Sequence, residues 1–102
     1  MLVYTVRTMI DDENTRRAYF AWLVNGHAAE VVSLGGAVRA EVSILDDGGL
    51  EARYVFPSRE AFAAYEAGAA VQLRAEGAAK FPPSDSIRVS RSTGEIRAAF
   101  AS

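Results

Sequence analysis

His27 is the one histidine of the chain, and three of its four tyrosines, Tyr4, Tyr54 and Tyr65, recur at positions that can bring phenols close to it. An imidazole titrates near neutral pH, so a histidine among phenols inside an apolar pocket can orient a substrate or move a proton. The same histidine can equally be a core residue hydrogen-bonded to a tyrosine hydroxyl or a backbone carbonyl, since buried polar groups find partners without any function. Residue type alone leaves both readings open. Glu66 and Glu76 are the other acid–base candidates, flanking one helix stripe. Ten helical residues separate them by ~15 Å, too far for shared acid–base work.

Other chemistries lack their residues. Cysteine is absent, which removes disulfides, thiolate ligands, redox pairs and cysteine nucleophiles together. With one histidine and no carboxylate–histidine cluster, no metal site is expected. Gly35-Gly36 and Gly48-Gly49 read as turns, and neither opens a helix as a phosphate-binding loop would. No cofactor is expected from these residues. Eleven basic residues, ten of them Arg, are scattered among thirteen acids for a net charge of −2, which argues against nucleic acid as a partner. No apolar run approaches ~18 residues and no signal-peptide pattern is present, so no membrane span is expected and the predicted location is cytoplasmic.

The elements that must position His27 and the tyrosines follow from hydrophobic period. The stretch Leu2–Ile10 alternates as a strand, with Leu2, Tyr4, Val6 and Ile10 on one face and Val3, Thr5, Arg7 and Met9 on the other. Asp11-Asp12-Glu13-Asn14 supplies an N-cap and acids for the start of a helix, which is predicted to run to about Leu34 and stop at Gly35-Gly36. Phe20, Leu23, Val24, His27, Val31 and Leu34 form its predicted buried stripe. Trp22 is expected almost opposite that stripe, beside Ala18, Asn25 and Ala29, packed on the tail, the second helix or a partner subunit.

Period two returns at Val38–Leu45 and again at Leu50–Phe56, a hairpin across an Asp/Gly turn. Val38, Ala40, Val42 and Ile44 should share a face with Leu50, Ala52, Tyr54 and Phe56, which requires an odd loop. A three-residue loop Asp47-Gly48-Gly49 meets that condition and pairs Ile44 with Ala52, Val42 with Tyr54 and Ser43 with Arg53. Pro57 ends the strand, Ser58 caps a second helix, and Phe62, Tyr65, Ala69 and Leu73 form its stripe. Gly68 and Gly77 interrupt the pattern. After Phe81-Pro82-Pro83 comes a last strand, Ile87–Arg91, and an extended or loosely attached tail over 96–100.

No repeat or linker breaks residues 1–102, so one domain is expected. Its order is βαββαβ: an α+β, ferredoxin-like antiparallel four-stranded sheet with two helices on one face. The other face offers Val3, Thr5, Arg7, Met9, Arg39, Glu41, Ser43, Leu45, Arg53 and Val55. Such a half-apolar face is better covered by a second sheet than left in water, which predicts a homodimer through sheet faces. The RNA-recognition fold shares this strand order, but its glycine-aromatic signature is missing and Tyr54 should face the helices.

Several stretches carry a family resemblance along nearly the whole chain. They are Met1-Leu2-Val3-Tyr4, Ala21-Trp22-Leu23 with His27, Tyr54-Val55-Phe56 before Ser58-Arg59-Glu60-Ala61-Phe62, and Tyr65. Leu73-Arg74-Ala75-Glu76-Gly77, Phe81-Pro82 and Ser90-Arg91 continue it. The chain resembles the dimeric α/β-barrel superfamily, whose best-known branch is the antibiotic-biosynthesis monooxygenases, and more narrowly a family of bacterial proteins of this length with unknown function. The resemblance implies two sheets facing across a dimer and a pocket between helices and sheet. It spans cofactor-free oxygenases, lactone isomerases and haem-degrading enzymes, so fold does not choose the reaction. Haem chemistry does not carry over, because that branch uses a histidine from the second helix and His27 lies on the first. The expected function is binding of a small, partly aromatic or acidic molecule, with Tyr4, His27, Tyr54 and Tyr65 as pocket lining. Two alternatives stand beside it: a cofactor-independent monooxygenase or isomerase with His27 as proton handler, and a structural or regulatory homodimer without a ligand.

Overall fold

Strand β1 (Leu2–Ile10) lies at the centre of the sheet because both its edges are paired in the computed structural model, which describes residues 1–102. It runs antiparallel to β3 (Leu50–Phe56) on one side and to β4 (Ile87–Glu95) on the other. β2 (Arg39–Ile44) pairs with the outer edge of β3, giving the order β2-β3-β1-β4. Two helical arms cross the sheet between these strands. Leu2, Tyr4, Thr8 and Ile10 of β1 and Leu50, Ala52, Tyr54 and Phe56 of β3 are buried beneath them, as alternation requires. No helix is long and apolar enough to cross a membrane.

The first arm begins where its cap predicts. Asp12 accepts hydrogen bonds from the Thr15 backbone N–H at 2.8 Å and from its hydroxyl at 2.7 Å, opening α1 (Glu13–Trp22). The arm then departs from the expected uninterrupted helix. Leu23–His27 forms one π-helical turn, and α2 (Ala28–Ser33) completes the arm. The Ala28 N–H reaches back five residues to the Leu23 carbonyl, so one extra residue enters the turn. The buried face consequently passes from Tyr19 and Leu23 to Ala28 and Val31. Val24 and Leu34, placed on the stripe by a constant helical period, are instead 49% and 66% exposed.

The hairpin keeps its predicted facing and shifts its register. Ile44 pairs with Leu50, Val42 with Ala52, Ala40 with Tyr54 and Glu41 with Arg53. The loop is therefore Asp46-Asp47-Gly48, and not Asp47-Gly48-Gly49. Gly48 takes φ +88°, the left-handed position that closes a three-residue hairpin, and the Leu45 N–H bonds the Gly49 carbonyl at 2.8 Å. Glu41 thus sits directly across from Arg53, and the two form an ion pair at 3.5 Å.

The second arm is also in two pieces. Ser58 accepts from the Ala61 N–H at 3.1 Å and opens α3 (Arg59–Ala67). Gly68, at ψ −105°, breaks the arm before α4 (Ala69–Lys80). Phe62, Tyr65 and Leu73 are buried as expected, but after the break Ala70 takes the fully buried place assigned to Ala69. β4 runs on to Glu95, beyond its predicted end, and the Ile96 N–H still bonds the Met1 carbonyl at 2.9 Å.

Candidate functional site

Between the sheet and the two arms lies a cavity of about 320 Å³. Its floor comes from β1, β3 and β4, its walls from α1, the π turn, α3 and α4, and its rim from Phe81, Pro83 and Ile87. Tyr4, His27, Tyr54 and Tyr65 all line it. The four pocket residues expected from the sequence are thus brought together around one space.

Each reaches it for a local reason. Tyr4 and Tyr54 are cross-strand partners on the helix-facing side, with ring centroids 5.9 Å apart and nearly stacked. Phe62 packs on Tyr4 at 5.0 Å, and Tyr65 lies 6.3 Å from it. His27 is delivered by the π turn. In an α-helix, residues five apart point ~140° from one another at ~100° per residue. The wider turn swings Trp22 and His27 to the same side, where their rings stack at 4.1 Å and 20°. Trp22, expected on the far face of the helix, is therefore a cavity wall, packed also against Tyr19 at 5.4 Å and Phe81 at 5.7 Å. Gly77 of α4 leaves the room: a Cβ there would lie 3.0 Å from the Trp22 indole.

The polar groups converge at two places. Thr8 donates from its hydroxyl to the Tyr19 hydroxyl at 3.1 Å. The Tyr4 hydroxyl accepts from Arg74 Nη2 at 3.0 Å and from Arg91 Nε at 3.1 Å, while Arg74 also pairs with Glu66 at 3.1 Å. None of Thr8, Tyr19, Arg74 or Arg91 was singled out as a site residue by type or spacing. Arg91 was legible, since strand alternation places it on one face with Ile87 and Val89. Glu66 and Glu76 form no pair: Glu66 serves Arg74, and Glu76 accepts from Gln72 at 3.2 Å.

Burial sets the proton chemistry. It pushes the Tyr54, Tyr65 and Tyr19 phenols above their ordinary pKa, Tyr54 most strongly, so all three keep their protons at neutral pH. The same desolvation lowers His27 below 6.5, against a smaller upward pull from the Glu76 charge. The cavity at neutral pH therefore holds a neutral imidazole, able to accept a proton, beside phenols able to donate hydrogen bonds. His27 stacks on Trp22, while the hydrogen-bonded phenols Tyr4 and Tyr19 are engaged by Arg74, Arg91 and Thr8.

A depressed histidine pKa links folding to pH with a definite sign. Above the ordinary value of 6.5 the imidazole is neutral in both folded and unfolded chains, and the stability is fully present. As pH falls through 6.5, the unfolded chain takes up a proton that the folded protein resists, and stability declines until the folded pKa is passed. His27→Leu is expected to remove this decline. Urea midpoints measured at neutral and mildly acidic pH check it; an unchanged acid slope in the variant would show that His27 is not desolvated.

No family model and no curated protein matches the sequence. Solved structures do match its shape. A dimeric ferredoxin-like protein from an uncultured marine organism superposes with a TM-score of 0.74 at 13% identity, over 99% of this chain and 98% of that one. The monooxygenase ActVA-Orf6 of Streptomyces coelicolor, solved in complex with nanaomycin D, gives 0.75 at 16% identity, over 99% and 91%. SnoaB, a cofactor-independent oxygenase from Streptomyces nogalater, gives 0.72 at 15% identity, over 99% and 97%. At these identities the likeness is one of architecture. The chain has the α+β ferredoxin-like fold of these proteins, with an antiparallel four-stranded sheet beneath two helical arms.

Proposed function

We propose that this chain is a homodimeric protein that binds a small organic molecule between its helices and its sheet. One observation carries the reading: a cavity of about 320 Å³ with aromatic walls and a few convergent polar groups. That volume falls within the ~300–1,000 Å³ of typical ligand pockets, whose lining has the same balance of apolar walls and sparse polar anchors. Tyr4, His27, Tyr54 and Tyr65 are its proposed contacts. The sheet face turned from the helices, where Val3, Thr5 and Met9 lie among charged residues, is the proposed dimer surface, and Val55 of that face is already buried within one chain. The marine neighbour of the same fold is described as dimeric.

A second reading is favoured by the neutral His27 imidazole. In it the protein is a cofactor-independent oxygenase or isomerase, and His27 takes a proton from an aromatic or lactone-like substrate. The description of SnoaB as a cofactor-independent oxygenase supports it by analogy of fold.

A thermal-shift screen with aromatic acids, quinones and lactones tests the binding reading, because a ligand held by the native state raises the melting temperature. At saturation near a hundredfold over Kd, the stabilisation should reach about 2.7 kcal/mol. No shift with any compound would overturn the reading in favour of a ligand-free structural dimer. His27→Gln then separates binder from enzyme: turnover is abolished in an enzyme, whereas a binder only loses affinity.

A further inference from the structure

The arginines of this chain are nearly all neutralised by acids. Eight of the ten have a carboxylate within salt-bridge distance: Arg7, Arg17, Arg39, Arg53, Arg59, Arg74, Arg88 and Arg97. Of the remaining two, Arg16 donates to the Ile10 carbonyl at 3.1 Å and feels the charges of Asp11 and Asp12. Arg91 alone meets no acid, and it stands in the cavity wall. No Asp or Glu lines that cavity, whereas Arg74 and Arg91 both do. An acidic chain has thus gathered two cationic side chains around its one large aromatic space.

Hydrogen-bond counting gives this charge a direction. A tyrosine hydroxyl offers two acceptor lone pairs and one proton. Both Tyr4 lone pairs are engaged, by Arg74 Nη2 and Arg91 Nε, so its O–H is left to donate. Arg91 is exposed to solvent, and beyond the Nε contact with Tyr4 its Nη groups make no hydrogen bond within the protein. In the same corner Arg74 Nε is buried with no acceptor at all. Buried donors without partners are rare in folded proteins, and here one, Arg74 Nε, lies beside the one arginine charge that no acid meets, that of Arg91, an arrangement complementary to an anion. The same cavity is lined by the flat Trp22–His27 stack, a surface for a ring.

We infer that the ligand is an aromatic anion, its ionised oxygen held by the Arg91 guanidinium and the Tyr4 hydroxyl and its ring body lying toward Trp22 and His27. The inference rests on the proposed small-molecule site and names its ligand class. A carboxylate and an ionised phenol present the same chemistry to these donors. Arg74 is a positioning residue, holding the Tyr4 oxygen while anchored through Glu66. Arg91 and Tyr4 touch the ligand.

Isothermal titration of the purified protein with matched probes tests it: naphthoate against naphthamide, and an ionised nitronaphthol against its methyl ether. The expected result is that at least one anion binds at least about tenfold more tightly than its neutral partner. Arg91→Gln should bring that ratio close to one, Arg91→Lys should keep part of it, and Tyr4→Phe should weaken the anion more than its neutral partner. Circular dichroism confirms that each variant is folded. The carboxylate and phenolate pairs tell the two sources of the anionic oxygen apart. Equal affinity for charged and neutral partners would overturn the inference and leave the binding site standing. An anion preference unchanged in both Arg91→Gln and Tyr4→Phe would overturn the assignment to this corner. Failure of every probe to bind would overturn the anion inference and the small-molecule site together.

Discussion

Phe56→Ala is expected to destabilise the protein by about 3–5 kcal/mol, a large share of the roughly 5–15 kcal/mol that holds a domain together. Phe56 is 0% exposed, paired across the sheet with Leu2 and packed on Phe62 at 5.3 Å and Tyr65 at 5.1 Å. Truncation loses the transfer free energy of the ring and leaves a hole between β3 and α3 that neighbouring aromatic rings, pinned to one another, cannot refill. Urea unfolding should show a much lower midpoint with the slope retained. A loss below about 1 kcal/mol would mean that the α3–sheet contact is looser than described.

Gly77→Leu acts on the site and spares the fold. A side chain at this position projects toward the Trp22 indole, since even a Cβ meets it at 3.0 Å. Leucine must fill the cavity or displace Trp22 from its stack on His27. The helix itself gains, because leucine exceeds glycine in helix propensity by almost 1 kcal/mol, which offsets part of the packing strain. Ligand affinity should fall at least about a hundredfold while the far-ultraviolet spectrum and cooperative unfolding persist. Naphthoate titration of the variant checks this, and wild-type affinity would show that the ligand does not use the space beneath Gly77.

The architecture was legible because period-two and capping signals are local. Tyr4 and Tyr54 face the helices by parity alone, and Asp12 and Ser58 begin their helices by hydrogen bonds to residues three further on. Parity also required an odd hairpin loop. It could not choose between Asp46-Asp47-Gly48 and Asp47-Gly48-Gly49, because either places a glycine where φ is positive. The structure decides through Gly48 and through the Asp47 side chain, which accepts from the Gly49 N–H at 2.9 Å.

The site was harder to read for one physical reason. Apolar spacing assumes a constant helical period, and the π turn at Leu23–His27 adds a residue without any compositional mark. Beyond Leu23 the expected stripe keeps His27 and Val31, while Ala28 enters the core and Val24 and Leu34 leave it. Val24 and Leu34, assigned to the core, are exposed, whereas Trp22, which precedes the turn, follows the buried Tyr19 and packs on the second arm as expected. Arg74 and Arg91 carried the resemblance but were not read as site residues, because they meet at one hydroxyl from positions 70 and 87 residues distant in the chain. Strand parity is enough to put Arg91 on one face with Ile87 and Val89, but it gives no hint that its charge stands alone.

A crystal structure of the protein grown with naphthoate would show whether the cavity holds an aromatic anion. Ring density is expected between the Trp22–His27 stack and Tyr4, with the carboxylate against Arg91. A cavity closed by Trp22 and Phe81, with no ligand inside at saturating naphthoate, would contradict it.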